Sequence, residues 1–166
     1  EMVKIPFGFP LLDEATNGGI GIGELVVIGA KPKQGKSVFG MNIADNVSTK
    51  GIGTYVCSRE MLNFENGFRL LARNSSYDIN SFRGGMYETV ASKLKQQAAQ
   101  IADRPLVLDD KTKTVKGSKK EIVRFRDNGI DIQLAVFDYA QLLRGENTRN
   151  RSKADILGEI IYDLKD

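Results

Sequence analysis

The sequence contains no histidine, and that absence removes whole classes of chemistry. Without imidazole there is no histidine general base, no Ser-His triad and no histidine-bearing zinc site, so acid–base work falls to carboxylates or lysine. The single cysteine, Cys57, excludes an intrachain disulfide. It sits in the apolar stretch Tyr55-Val56-Cys57, where a small buried residue is expected rather than a reactive thiol, and a reducing compartment fits. No apolar run approaches membrane-spanning length, and the start Glu1-Met2-Val3 has neither the basic nor the long apolar region of a secretory signal. A soluble, cytoplasmic protein with no membrane partner is therefore expected. Charge of one sign is also scarce: 24 Lys and Arg against 21 acids leave a net charge of +3, too small to establish a nucleic-acid partner, although a pI near 9.0 permits one.

No internal repeat or low-complexity segment appears, and 166 residues with 41% hydrophobic content suffice for one core, so residues 1–166 read as a single domain. Because position 1 is not methionine and the chain stops at Asp166 inside a helical pattern, a fragment of something longer is expected.

What is present begins with Ala30-Lys31-Pro32-Lys33-Gln34-Gly35-Lys36-Ser37, which follows the apolar run Leu25–Gly29 and opens an amphipathic segment with Phe39, Ile43 and Val47 four residues apart. A glycine-bearing turn feeding a helix N-terminus gathers backbone N–H groups and a favourable dipole around phosphate oxygens. Residues Ala30 to Val38 are the candidate nucleotide-binding segment. Gly35 permits close backbone approach, Lys36 would reach the β- and γ-phosphates, and the Ser37 hydroxyl would hold Mg²⁺. The pattern departs from the common one in having Ala30 where glycine is usual, with Gly29 one place early. The chain is thus expected to bind a nucleoside triphosphate, the competing reading being a basic surface turn.

Apolar runs at Leu25–Gly29, Thr54–Ser58, Pro105–Leu108 and Leu134–Phe137 predict strands. Helical periods lie between them: Phe64, Phe68 and Leu71 form one stripe, Met86, Val90, Leu94, Ala98 and Ile101 another. Ile122 and Phe125 mark the core side of a third helix. Ile156, Leu157, Ile160, Ile161 and Leu164 mark a last one, capped by Ser152 and Asp155. Strands alternating with helices argue α/β architecture, a mostly parallel sheet with helices on both faces, in which ligands bind beyond the strand C-termini.

Two of those strand ends deliver an acid, Glu60 after Ser58 and Asp138 after Phe137. Asp138 suits the ordering of Mg²⁺, while Glu60 can orient a water and accept its proton if it projects toward the γ-phosphate. Each acid alone could simply close a turn. Lys36, Glu60 and Asp138 together are the candidate catalytic set of an ATPase, and the absence of a recognisable substrate lid favours hydrolysis over transfer to a small molecule.

With these residues in view, the chain resembles the motor domain of DnaB-type replicative helicases within the RecA-like P-loop ATPases, from Ile5 to Lys165. The resemblance rests on the entry Gly8-Phe9-Pro10-Leu11-Leu12-Asp13, the turn Gly18-Gly19 leading to Gly23-Glu24-Leu25, and a phosphate loop in which Ala30 and Pro32 are typical. It extends to Ser58-Arg59-Glu60-Met61 and Phe137-Asp138-Tyr139-Ala140-Gln141-Leu142. Arg59 and Ala140 stand where that family usually has leucine, as in a phage-encoded or otherwise divergent member. The resemblance implies a homo-hexameric ring that hydrolyses ATP between subunits, translocates on single-stranded DNA and works with a primase and a loader. It further implies that a γ-phosphate sensor, the arginine finger and part of the sheet would lie beyond Asp166, so this piece alone would not unwind DNA.

In the same family the loop after Asp138 faces the central channel. Here it carries Arg144, Arg149, Arg151 and Lys153, which could neutralise DNA phosphates, and it lacks an aromatic for base stacking; a solvated loop is the alternative. The larger basic run from Lys111 to Arg126 reads more simply as the wet side of an outer helix. Two rivals to the helicase motor remain, another RecA-like recombination or repair ATPase and a nucleotide-binding replication scaffold without turnover.

Overall fold

The computed structural model describes residues 3–75, 87–138 and 152–165. Its centre is a three-stranded parallel sheet in the order β4-β3-β5, formed by β3 (Gly53–Ser58), β4 (Leu106–Asp109) and β5 (Ile132–Asp138). A small antiparallel pair, β1 (Lys4–Ile5) and β2 (Ile20–Gly21), stands apart and brackets the short helix α1 (Pro10–Ala15). The longer helices are α2 (Lys36–Thr49), α3 (Asn63–Ser75), α4 (Tyr87–Ala102), α5 (Val115–Asp127) and α6 (Lys153–Lys165).

Every residue of β3 is buried, because its alternating side chains enter two different cores. Val56 joins Met41 and Ala44 of α2 and Leu70 of α3 on one face. On the other, Tyr55 and Cys57 meet Val107, Val115 and Ile160, with Ile122, Phe125, Ile156 and Leu164 packed around them. Helices therefore cover both faces, as the strand–helix alternation predicts. A third cluster seats Ile5 and Phe7 of the N-terminal segment on Ile43, Val47 and Leu134. Each of these fully buried aliphatic side chains contributes about 1.5–3 kcal/mol relative to exposure.

Three expectations are corrected. The run Leu25–Gly29 is not a strand: it has no ladder partner among the described residues, and Leu25, Val26, Val27 and Ile28 are 38–72% exposed. β-branched residues favour a pleated strand only where a neighbour supplies hydrogen bonds and a packing surface. In α3 the expected stripe faces outward: Phe64 and Phe68 are exposed and stack edge to face on each other, while Asn66 and Leu70 are buried. Polar contacts set that rotation, since Arg73 and Asn74 on the inward side both reach Asp45 of α2. In α4, Leu94 is buried and Ile101 packs on the core, but Ala98 is exposed; Met86 and the side chain of Val90 lie outside the described residues. The last helix behaves as expected, with the Ser152 hydroxyl and Asp155 carboxylate capping it reciprocally.

Asp45 is 4% exposed and would be costly to bury alone, but it is held by Arg73 and Arg104 and by the Asn74 amide. Arg104 precedes β4, so this one carboxylate ties α2 to α3 and to the α4–β4 junction. Removing it leaves two cations facing each other without a counter-charge. Asp45→Ala is expected to lose about 3 kcal/mol of stability, and Asp45→Leu combined with Arg104→Met to lose less. Urea denaturation of the three proteins checks the order.

Candidate functional site

The site forms where the parallel strands end. β3 and β5 pair from Thr54↔Leu134 through Ser58↔Asp138, which sets Asp138 beside Ser58, and the Arg59 amide then donates to the Asp138 carbonyl at 2.8 Å. Asp138 shares a face of β5 with Val136, the residue that meets α2 across Gly40. Lys36, the first residue of α2, comes to the same edge, and its Nζ lies 3.9 Å from Asp138 Oδ1. The structure thus brings together two of the three expected catalytic residues, about a hundred positions apart in sequence. Glu60 follows on the turn that leaves β3, two residues beyond Ser58, and is exposed.

The loop before α2 feeds the helix N-terminus through Gly35 as its sequence predicts, but among the described residues no strand runs directly into it. Gly35, the N-cap residue, has φ +84°, a left-handed conformation that an L side chain resists, whereas the space beside it is open. Backbone geometry, not crowding, is what requires glycine there. Lys33 adopts φ 65°, and Gln34 folds back so that its side-chain carbonyl accepts from the Lys31 amide. No side chain caps α2, so its first N–H groups and the positive end of its dipole face the loop's concave side. Ala30, Lys31, Pro32, Lys33, Gln34, Gly35 and Val38 are exposed, and Lys36 and Ser37 half-buried. That arrangement suits an anionic ligand arriving from solvent.

No group of three or more acidic or cysteine side chains that could by itself hold a metal occurs among the described residues. The donors offered are a hydroxyl and a carboxylate, Ser37 and Asp138. Such a pair fits Mg²⁺, which takes few protein oxygens and completes its shell with phosphate and water. Of the expected DNA contacts, Arg144, Arg149 and Arg151 lie outside the described residues. Lys153 begins α6, and its side chain is likewise outside them. Lys116, Lys119, Lys120, Arg124 and Arg126 are all exposed, consistent with the wet side of α5, and Lys111 and Lys113 are exposed on the segment before it. Among the described residues no helix is long and apolar enough to cross a membrane.

Sequence reasoning missed a second pair of acids at this sheet edge, Asp109 and Asp110, although they follow Leu106-Val107-Leu108 as Asp138 follows its own apolar run. The fully buried Tyr55 donates its hydroxyl to Asp109 Oδ2 at 2.6 Å. The other oxygen of Asp109 accepts from the Lys111 and Thr112 amides. Burial drives the Tyr55 hydroxyl well above its ordinary pKa, with the Asp109 hydrogen bond adding to it, so the phenol stays a donor. Burial pushes Asp109 up as well, but hydrogen bonds from Thr112, Tyr55 and Lys111 outweigh it and hold the carboxyl below its usual range. Burial likewise raises the Cys57 thiol, which at 1% exposure is the inert core residue expected of it.

Comparison with known proteins places this geometry in context. Residues 4–166 match the family described as the DnaB-like helicase C-terminal domain. The replicative DNA helicase DnaB of Geobacillus stearothermophilus is 26% identical over 99% of the chain, and that of Treponema pallidum 30% identical over 89%. The chain spans 37% of the first relative's length and 34% of the second's. Among solved structures, a DnaB-like replicative helicase described with its interactions with primase superposes with a TM-score of 0.87 at 25% identity, over 99% of this chain and 41% of the other. The ATPase domain of G40P gives 0.87 at 26% identity, over 99% and 59%.

Asp109 makes a pH-dependent contribution whose sign follows from its lowered pKa. A carboxylate that binds its proton less readily when folded stabilises the fold above the ordinary aspartate value of about 3.9. That contribution disappears as pH falls through the lower, folded value. Asp109→Asn is expected to be less stable at neutral pH and to lose less on acidification, a difference readable from thermal unfolding between pH 7 and about pH 2.

Proposed function

Because the chain belongs to the family of DnaB-like helicase C-terminal domains, we propose that it is the ATP-hydrolysing motor of a replicative helicase, acting in the cytoplasm as a homo-hexameric ring on single-stranded DNA. The observation that carries this reading is the meeting of Lys36 and Asp138 at 3.9 Å, at the mouth of an uncapped helix preceded by a phosphate-type loop. A lysine there supports the negative charge of the terminal phosphates. The amides of the loop from Ala30 to Val38 cradle the remaining oxygens.

Glu60, on the turn that leaves the neighbouring strand, takes the part of water-orienting base. It accepts the proton as the water oxygen bonds to the γ-phosphorus and the bond to the β-γ bridging oxygen breaks, giving ADP and phosphate. Ser37 and Asp138 would hold Mg²⁺, which would supply charge neutralisation at the phosphates. With no histidine in the chain, a carboxylate is the natural choice for this base. In the ring, Arg144, Arg149, Arg151 and Lys153 serve as phosphate contacts for the DNA strand. A primase, named with the superposed helicase structure, and a loader are the proposed partners.

For the protein at its natural length, Lys36→Ala and Glu60→Gln are each expected to lower the turnover number for ATP by about a hundredfold or more. Phosphate release with and without single-stranded DNA measures it. Wild-type turnover in either variant would refute the assigned role. A wild-type protein that binds ATP tightly without releasing phosphate would instead be a scaffold, and one that hydrolyses ATP but fails to displace a strand from a forked duplex would be a recombination or repair ATPase.

A further inference from the structure

The turn from β3 into α3 carries Glu60 and is fastened on both sides of it. The Arg59 amide donates to the Asp138 carbonyl, and the Arg59 guanidinium crosses to the exit of β4, where Nη1 donates to the Asp110 carbonyl at 2.6 Å. Beyond Glu60, the Met61 amide donates to the Ser58 hydroxyl, and the Leu62 amide donates to the Glu65 carboxylate. Asn63 then donates through its amide nitrogen to Asp110 Oδ2 at 2.8 Å and through Nδ2 to the Leu108 carbonyl at 3.0 Å. The β4 exit that receives these bonds is itself braced, since Asp109 accepts from Tyr55, Lys111 and Thr112.

We infer that Arg59 is a positioning residue for Glu60: by spanning from the β3 exit to the Asp110 carbonyl, it fixes the main chain one residue before the carboxylate. The inference rests on the reading of Glu60 as the water-orienting base. Glu60 is exposed, so its own packing does not aim it, and the backbone on either side must. The Arg59 Nε is buried without a hydrogen-bond partner among the described residues, so the side chain's polar contact is the one Nη1 makes to Asp110. Its contact is to a main-chain carbonyl, for which one donor suffices, so a lysine long enough to reach can replace it. Arg59 touches neither phosphate nor water in this scheme; it acts through the placement of Glu60.

The test compares Arg59→Ala, Arg59→Lys and Glu60→Gln in the protein at its natural length, with kcat and KM for ATP measured separately and nucleotide affinity measured by fluorescence titration. Arg59→Ala is expected to lower kcat about tenfold, with KM and nucleotide affinity changed by less than about twofold, and Arg59→Lys to recover most of that kcat. The proposal is overturned if Arg59→Ala keeps the wild-type kcat while Glu60→Gln is inactive, if only KM changes, or if Arg59→Lys is as slow as Arg59→Ala. Full turnover in Glu60→Gln overturns the reading of Glu60 and, with it, this one. Should Arg59→Ala lose its cooperative thermal transition, Arg59→Gln, whose side chain ends short of the Nη1 that makes the bond, is judged by the same split between kcat and KM.

Discussion

A shift of one residue in how β3 pairs with β5 would turn each side chain of one strand to the opposite face, and the site would come apart with it. In the register observed, Ser58 lies opposite Asp138, Val56 opposite Val136 and Thr54 opposite Leu134. The apolar members of these pairs enforce it, because Val56, Val136 and Leu134 all pack toward α2 or the N-terminal segment. Asp138 then shares their face at the strand end, where the helix that follows the phosphate loop brings Lys36. Hydrophobic packing in the middle of the sheet thereby determines where charges meet at its edge.

Much of this was legible in the sequence, and the reason lies in the length of the patterns. The segment Thr54–Ser58 is a strand covered on both faces, whereas Leu134–Phe137 buries Leu134 on one face and packs Phe137 on the other while Ala135 stays exposed; in both, an apolar run marks the strand. The phosphate loop declared itself through Gly35, whose backbone is left-handed. Leu25–Gly29 looked the same as the true strands by composition, yet strand state depends on a neighbour that no local pattern encodes. Periodicity also misled in α3, where Phe64 and Phe68 are spaced like a core stripe but the helix is rotated by the ion pairs of Asp45, a partner far away in sequence. Arg59 could be seen only as an unusual neighbour of Glu60; its role depends on Asp110, brought alongside by the β3–β4 pairing.

Charge and burial divide the work differently at the two ends of the sheet. At the edge that holds Lys36, Glu60 and Asp138, ionisable groups are half-buried or exposed, and the Lys36–Asp138 approach is long enough to open around a ligand. Toward the other end of α2, Asp45 is nearly inaccessible and saturated with donors. In one arrangement the charged groups stand open to a guest; in the other the carboxylate oxygens are already taken by Arg73, Arg104 and Asn74. A permissive rim is thus mounted on an over-determined frame.

That division has a mechanical corollary. Lys36 and Asp45 lie on the same helix, nine residues and therefore roughly 13 Å apart along its axis. With Asp45 clamped to two other segments, α2 resembles a rod held in a vice partway along its length. Any push that a phosphate group exerts at the free tip cannot carry the rod bodily away; it must swing about the clamp or be passed sideways into β5, the strand whose own tip bears Asp138.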